Sequence, residues 1–282
     1  YQEESKTMFS SFQTVERVVY GRGVAAKLGD EVLRLGCRTV AVITDKGLVD
    51  AGIHTPLMAS LKGAGVEALL YDQAELDPTP ASIEKAAAWV RQNKVELLVG
   101  LGGGSALDST KATALLAVHE GPMSRYFGLH KVPSACMPTI LIPTTAGTGS
   151  EMTSNAVLND PITDSKQGTV SDYLYAKVVL LDPELTAGLP PFYTAITGLD
   201  ALVHCIESYV SLHATPFTDA LNLQAMRMIS DNIRKVYANG GNMEAREQML
   251  YGAAISVTAN KSGGCQILKM GITTLDDRFA LD

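Results

Sequence analysis

The chain has 282 residues, 46% of them hydrophobic and 19% charged, so it can bury a sizeable core and is no disordered tail. Its 23 basic and 30 acidic residues leave a net charge of −7 with no run of like charges, which argues against nucleic acid and anionic membrane as partners. Four cysteines, Cys37, Cys136, Cys205 and Cys265, lie 60 or more residues apart with no CxxC pair, which disfavours a disulfide framework or zinc ribbon and makes a reducing, cytoplasmic setting the expectation.

No apolar run of about 18 residues occurs, and the polar start Tyr1-Gln2-Glu3-Glu4-Ser5-Lys6 has no signal-like core, so neither a membrane span nor a secretory leader is expected. The opening on Tyr1 rather than Met suggests a trimmed chain or a fragment. Up to about residue 190, short β-branched runs alternate with helical patterns, the signature of parallel strands joined by crossover helices. Strands are predicted over 39–44, 66–71, 95–99, 139–142 and 178–181, the last ending at Asp182-Pro183. Thr79 caps and Pro80 opens a helix running to about residue 92.

After Pro190-Pro191 the texture becomes helical, over 192–211, 215–237 and 244–259, with Gly240-Gly241-Asn242 between two of the helices and Gly263-Gly264 closing the pattern. The expected architecture is an α/β domain with a parallel sheet, residues 1–190, followed by an all-helical domain, residues 191–282.

The strongest local signal is Val99-Gly-Leu-Gly-Gly-Gly-Ser105 running into Ala106-Leu-Asp-Ser-Thr-Lys-Ala112: strand, glycine turn, helix start. Free N–H groups at such a start attract phosphate, and Ser105 and Asp108 fit a Ser-x-x-Asp capping box. A tight turn with a good cap and no ligand explains the same pattern, which matches neither standard nucleotide fingerprint. A second loop, Pro143-Thr-Thr-Ala-Gly-Thr-Gly-Ser-Glu151, follows the next strand, and two small-residue loops at the C-terminal ends of neighbouring strands are where open α/β sheets bind ligands. Asp45, after the first strand, could accept from a ribose hydroxyl and repel a 2′-phosphate, or serve only as a turn residue.

In the helical half Asp200 and His204 stand at i and i+4, within reach of one cation, and Glu207, Ser208 and Ser211 extend the stripe. A solvated helix face accounts for the stripe as well. His54, His119, His130 and His213 show no ligand spacing. Cys205 points about 100° away from its neighbour His204, which makes a Cys–His couple unfavourable and a small core residue the better reading.

Taken jointly, the glycine turn at 102–112, the threonine loop at 143–153 and Gly198-Leu-Asp-Ala-Leu-Val-His-Cys-Ile-Glu207 resemble, in order and separation, the iron-containing alcohol dehydrogenase family over roughly residues 10–256. The resemblance implies a dinucleotide-binding domain, a helical domain, and a cleft between them holding NAD and a divalent metal, Fe2+ or Zn2+. Asp45 would face the adenine ribose, and Gly103, Gly104 and Ser105, backed by Asp108, would cradle the pyrophosphate. Thr144, Thr145 and Thr153 would line the path toward the nicotinamide, with Lys166 and Asp77 as cofactor contacts and Leu185 and Gly188 closing over it. Asp200 and His204 would be metal ligands, and the metal as Lewis acid would leave no protein residue to be named as a catalytic base. The implied reaction is hydride transfer between a small primary alcohol, or its aldehyde, and the nicotinamide; a homo-oligomer stays open.

The resemblance fades after Ser256, where the family supplies two further histidine ligands, whereas no histidine follows His213. Asp276, Asp277 and Asp282 are hard ligands that the family gives no reason to place in the cleft. A two-ligand site should hold metal weakly, so the expectation is little or no turnover, and an exposed apolar face on the helices of 192–237. The alternatives are a catalytically inactive NAD-binding form, a hydroxyacid–oxoacid transhydrogenase, and a dehydroquinate-synthase-like enzyme, although this last expects basic residues that 200–211 lacks.

Overall fold

A computed structural model describes residues 12–262; Cys265, Asp276, Asp277 and Asp282 lie outside the described residues. The strands are β1 (Val18–Tyr20), β2 (Thr39–Ile43), β3 (Glu67–Tyr71), β4 (Leu97–Gly102), β5 (Gly128–Leu129), β6 (Thr139–Pro143), β7 (Asn155–Asp160), β8 (Ser165–Val170) and β9 (Val178–Leu181). The helices are α1 (Leu28–Arg34), α2 (Lys46–Asp50), α3 (Thr55–Gly63), α4 (Pro80–Gln92), α5 (Gly104–Val118), α6 (Pro191–Tyr209), α7 (Pro216–Ala238) and α8 (Met243–Ser262).

Six strands form one parallel sheet in the order β1-β9-β6-β4-β2-β3. β4 and β6 are buried at every position, which requires helices on both faces and explains their unbroken apolar runs. On one face Leu28 and Val32 of α1 and Leu57 and Leu61 of α3 pack on Val40, Val42, Leu97, Val99, Ile140 and Leu180. On the other, Ala86 and Val90 of α4 and Ala114 of α5 meet Ala41, Ile43 and Leu98. The chain runs from β2 outward to β3 and returns to place β4 on the opposite side of β2, so the strand order reverses between β2 and β4. In open α/β sheets such a reversal opens a crevice at the C-terminal strand ends.

The α4 start follows the sequence expectation: Thr79 Oγ1 accepts from the Ser82 N–H, Ser82 Oγ accepts from the Thr79 N–H, and Pro80 occupies the first turn. Elements that the sequence reading did not place are α1, α2, α3, β1, β5 and the β7–β8 hairpin, which pairs antiparallel and forms a second, three-stranded sheet with β5. The three C-terminal helices share a core with the sheet side: Ala201, Cys205, Ile229, Met249 and Ala253 cluster with Leu107, Leu141, Val179 and Leu181. Arg246 of α8 is buried and donates to the carbonyls of Gly240, Ala187 and Leu189 and to Thr194 Oγ1, tying the connection between sheet and helices to α8.

Glu31 anchors the start of the described chain to α1. Its nearly buried carboxylate accepts from Arg17 Nε and Nη2, at 3.1 and 3.0 Å, and from Arg34 Nε at 2.7 Å. Burial pushes this carboxyl up, but the bonds to Arg34 and Arg17 outweigh it and hold the group below its ordinary value. A depressed folded-state value stabilises the fold above the unfolded carboxyl range, and that contribution is lost as pH falls through the folded value. Glu31→Gln is therefore expected to cost about 1–3 kcal/mol at pH 7 in denaturant unfolding, with the deficit shrinking as the medium is acidified below about pH 4.

Candidate active site

Three loops meet at the C-terminal edge of the sheet: Asp45 after β2, Gly103 and Gly104 after β4, and the threonine loop after β6. Asp45 is the N-cap of α2, its Oδ1 accepting from the Leu48 N–H at 3.0 Å. The Thr144 N–H donates to the Gly102 carbonyl at 3.0 Å, which extends the β4–β6 ladder into the two loops and lays them side by side.

The expected Ser105–Asp108 capping box does not form. The N-cap of α5 is Gly103, with no side-chain cap, so the first turn of a 15-residue helix presents its N–H groups without an internal acceptor. Ser105 Oγ instead donates to the Leu76 carbonyl, tying down the loop that carries Asp77. Asp108 turns the other way, accepting from the Ser150 hydroxyl and from the Val157 N–H. Asp77 faces Lys166 of β8 at 3.9 Å, both side chains half or more exposed, so these two cofactor candidates stand beside one another across the loop and the hairpin. Leu185 is packed in the sheet core, whereas Gly188 is exposed in the connection to α6.

The threonine loop touches both α5 and α6 closely. A Cβ on Gly104 would lie 2.8 Å from Thr148 Oγ1, and one on Gly147 would lie 2.6 Å from Thr197 Cβ and 2.9 Å from the Thr197 carbonyl oxygen. Real Cβ atoms do not sit this near, so glycine is what lets α5 meet the Thr148 side chain and the loop meet the α6 backbone at Thr197. Gly103 is less crowded, with Thr145 Cγ2 at 3.4 Å from the corresponding point. Thr144 and Thr153 are buried and Thr145 is partly exposed.

Thr197 lies one helical turn before Asp200, so the loop contact brings the acid–imidazole pair near the threonine loop. His204 Nε2 stands 3.6 Å from Asp200 Oδ1; the histidine side chain is 3% exposed and the aspartate 29%. Ser208 is buried, accepting from Asn222 Nδ2 at 2.9 Å, so the polar stripe of α6 faces inward rather than into solvent. Among the described residues no cluster of three or more His, Cys, Asp or Glu side chains accompanies the pair. Cys205 is fully buried and its thiol is pushed up to about 12 by burial, against a small opposing pull from Ser256, so it is a core residue and no nucleophile. The site residue that the sequence did not flag is Lys111, fully buried and bonded to the loop through Ser150, Thr153 and Asn155. Its signal was a lysine three positions after an aspartate within an otherwise small and apolar helix.

The profile described as iron-containing alcohol dehydrogenase matches residues 15–183, and its companion for the C-terminal part of the Fe-containing family matches 194–267. The chain belongs to the iron-containing alcohol dehydrogenase family. It is similar to the sulfoacetaldehyde reductase of Bilophila wadsworthia, 47% identical over 243 residues that make up 86% of this chain and 63% of the relative. It is also similar to long-chain-alcohol dehydrogenase 1 of Geobacillus thermodenitrificans, 40% identical over 89% of this chain and 65% of that one. Among solved structures, a 1,3-propanediol oxidoreductase superposes with a TM-score of 0.87 at 33% identity, covering 89% of this chain and 66% of the other. The sulfoacetaldehyde reductase of Bifidobacterium kashiwanohense in complex with NAD+ superposes with a TM-score of 0.83 at 30% identity, covering 89% and 67%. The chain thus spans 63% and 65% of the length of those two curated relatives. The family match at the C-terminal side reaches past Ser256, where the sequence resemblance had been read to fade.

The loop packing generates a direct test. Gly147→Ala must part the threonine loop from α6, at a cost of about 1–3 kcal/mol. Gly63→Ala in α3, where a Cβ would meet nothing within 4 Å, is expected to be neutral or stabilising by about 0.5–1 kcal/mol. Thermal unfolding of the two variants beside the parent chain measures the contrast.

Proposed function

We propose that the chain is an NAD-dependent, metal-dependent alcohol dehydrogenase that interconverts a small primary alcohol and its aldehyde in the cytoplasm, with an α/β cofactor domain (1–190) and a helical metal domain (191–282). The observation that carries this is the succession of close approaches from Gly104 to Thr148 and from Gly147 to Thr197, one turn from Asp200, which aligns a phosphate-attracting helix start with a cation-binding pair. Family membership and the NAD+ complex of a structural neighbour support the cofactor. Among the described residues no helix is long and apolar enough to cross a membrane.

The residues fit the dinucleotide, and among the described residues they offer a metal two of the three or four protein ligands it ordinarily takes. The uncapped first turn of α5 would take the pyrophosphate on its N–H groups, Gly103 leaving room for it and Gly104 and Ser105 completing the turn. Asp45 would hold a ribose hydroxyl and repel a 2′-phosphate, favouring NAD over NADP. Lys166 would exchange its pairing with Asp77 for the anionic cofactor, and the segment of Leu185 and Gly188 would border the site. Asp200 and His204 would supply one oxygen and one nitrogen ligand to Fe2+ or Zn2+. When bound, the metal supplies Lewis acidity toward a substrate oxygen and the nicotinamide supplies the hydride acceptor. Thr144 and Thr145 would offer hydroxyls along the loop.

A second reading, an NAD-binding chain that does not turn over, is favoured by the pair standing without a third ligand among the described residues. Calorimetry on the metal-free chain is expected to detect NAD+ binding and to find it unchanged in Asp200→Ala and His204→Ala. Fe2+ affinity should fall in both variants by no less than the roughly 10–100-fold typical of losing a ligand's supporting partner. Absence of NAD+ binding by the parent chain overturns the proposal, and oxidation of ethanol or 1,2-propanediol with added Fe2+ separates the active from the inactive reading.

A further inference from the structure

Beside its buried polar stripe, α6 carries a second stripe that is apolar and open to solvent. Phe192, Ile196, Leu199, Ile206 and Val210 are 65%, 41%, 52%, 47% and 70% exposed, with Val203 partly buried between them. These six positions recur at intervals of four, three, four, three and four residues, the cadence with which one helix presents a seam to another. From Phe192 to Val210 the stripe runs about 27 Å, at about 1.5 Å per residue. Apolar side chains exposed singly are ordinary, whereas a continuous seam marks a surface that something covers.

The direction of α8 decides from which end of the stripe the following residues depart. Arg246 donates to Thr194 Oγ1 at 3.1 Å, a Cβ on Gly198 would lie 2.6 Å from Met249 Cε, and Cys205 meets Ser256. Because these partners advance together along both helices, α8 runs parallel to α6, and its end at Ser262 stands level with the last turn of α6. Gly263-Gly264 come next, the residue type that most readily ends a helix and lets the chain turn back. Beyond them Leu268, Ile272, Leu275 and Phe279 repeat at intervals of four, three and four, the cadence of the α6 stripe. The 18 residues from Cys265 to Asp282 would cover about 27 Å in helical form, which is the length of that stripe.

Charge agrees with an antiparallel return. Lys269 stands near the start of the segment and Asp276, Asp277 and Asp282 toward its end. Laid back along α6, the lysine meets the C-terminal end of the helix, where the dipole is negative, and the aspartates lie toward the positive N-terminal half. A second copy of the chain could offer its own seam, but a segment tethered a few residues away competes at an effective concentration on the order of millimolar.

We propose that residues 265–282 turn back antiparallel along α6 and cover its outer stripe with Leu268, Ile272, Leu275 and Phe279. Asp200 lies between Leu199 and Val203 in the sequence, so the covering segment passes beside the acid–imidazole pair. The test is limited trypsin digestion of the full metal-free chain, with cleavage after Lys269 followed by mass spectrometry. Ile206→Asp and Val210→Asp place a charge on the stripe, Leu275→Asp places one on the segment, and Ile162→Asp, at an 89% exposed hairpin position, is the control.

Cleavage after Lys269 is expected to be about tenfold or more faster in each of the first three variants than in the parent, because cutting follows the population of the undocked segment. The Ile162→Asp chain should match the parent. A parent cut as fast as Leu275→Asp overturns the proposal, as does protection that survives both charges on α6. Protection that fades on dilution, in a parent that elutes as a dimer, gives the stripe to a second copy and overturns it equally. Should Ile206→Asp fail to fold by circular dichroism, Val210→Asp at the more exposed position and Leu275→Asp decide.

Discussion

The site depends on how closely one loop can approach two helices. The turn after β6 lies against the first turn of α5 and against α6, and it reaches both because Gly104 and Gly147 present no Cβ where Thr148 and Thr197 stand. At Gly147 a Cβ would lie 2.9 Å from the Thr197 carbonyl oxygen, so a larger residue there must part loop from helix backbone, while at Gly104 it would meet the Thr148 side chain at 2.8 Å. The crevice between the sheet and the helical half is therefore set by the loop's small residues, and the acid–imidazole pair inherits its place from them. A helix placed even one methyl group further out would move Asp200 and His204 together, as a rigid unit.

α6 reverses the usual polarity of a surface helix. His204 and Ser208 are buried while Phe192 and Val210 are 65% and 70% exposed. Burying an imidazole and a hydroxyl requires partners, and Asp200 and Asn222 are among them. The helix turns its polar stripe inward and leaves aromatic and aliphatic side chains outside. The exposed face was expected from apolar faces on 192–237 left without their packing helices, and the inward stripe was implied by the family resemblance, whereas the residues alone suited a solvated face as well.

What could be read without coordinates follows from where local physics dominates. β6, β9 and α4 were legible because unbroken apolar runs and a Thr-Pro cap each specify one local conformation. The β7–β8 hairpin was not, since Asn155–Asp160 and Ser165–Val170 carry few β-branched residues and owe their pairing to α5 beneath them, with Val157 bonded to Asp108. The Ser105–Asp108 pair was misread for the same reason: its spacing suits a capping box, but tertiary acceptors and donors claimed both side chains. Motif order singled out the loops and the acid–imidazole pair. It could not reveal that Lys111 ties α5 to the end of the threonine loop, because a buried lysine is recognisable only from the groups that surround it.

The pairing of Asp108 with Lys111 also bears on the charge of the helix start. α5 is buried from Ala106 to Leu107 and again from Ser109 to Ala117, so water screens its dipole little except at Gly104 and Ser105, which are partly open to the crevice. A carboxylate one turn into such a helix would by itself oppose any anion arriving at the positive end. Lys111 Nζ lies 3.1 Å from Asp108 Oδ1 and cancels that charge within the helix. The two residues between them leave α5 with no net side-chain charge, and the N–H groups of its first turn remain as the attractive feature at the head of the crevice. The same ion pair therefore fixes the geometry of the threonine loop and leaves the first turn of α5 without an opposing side-chain charge.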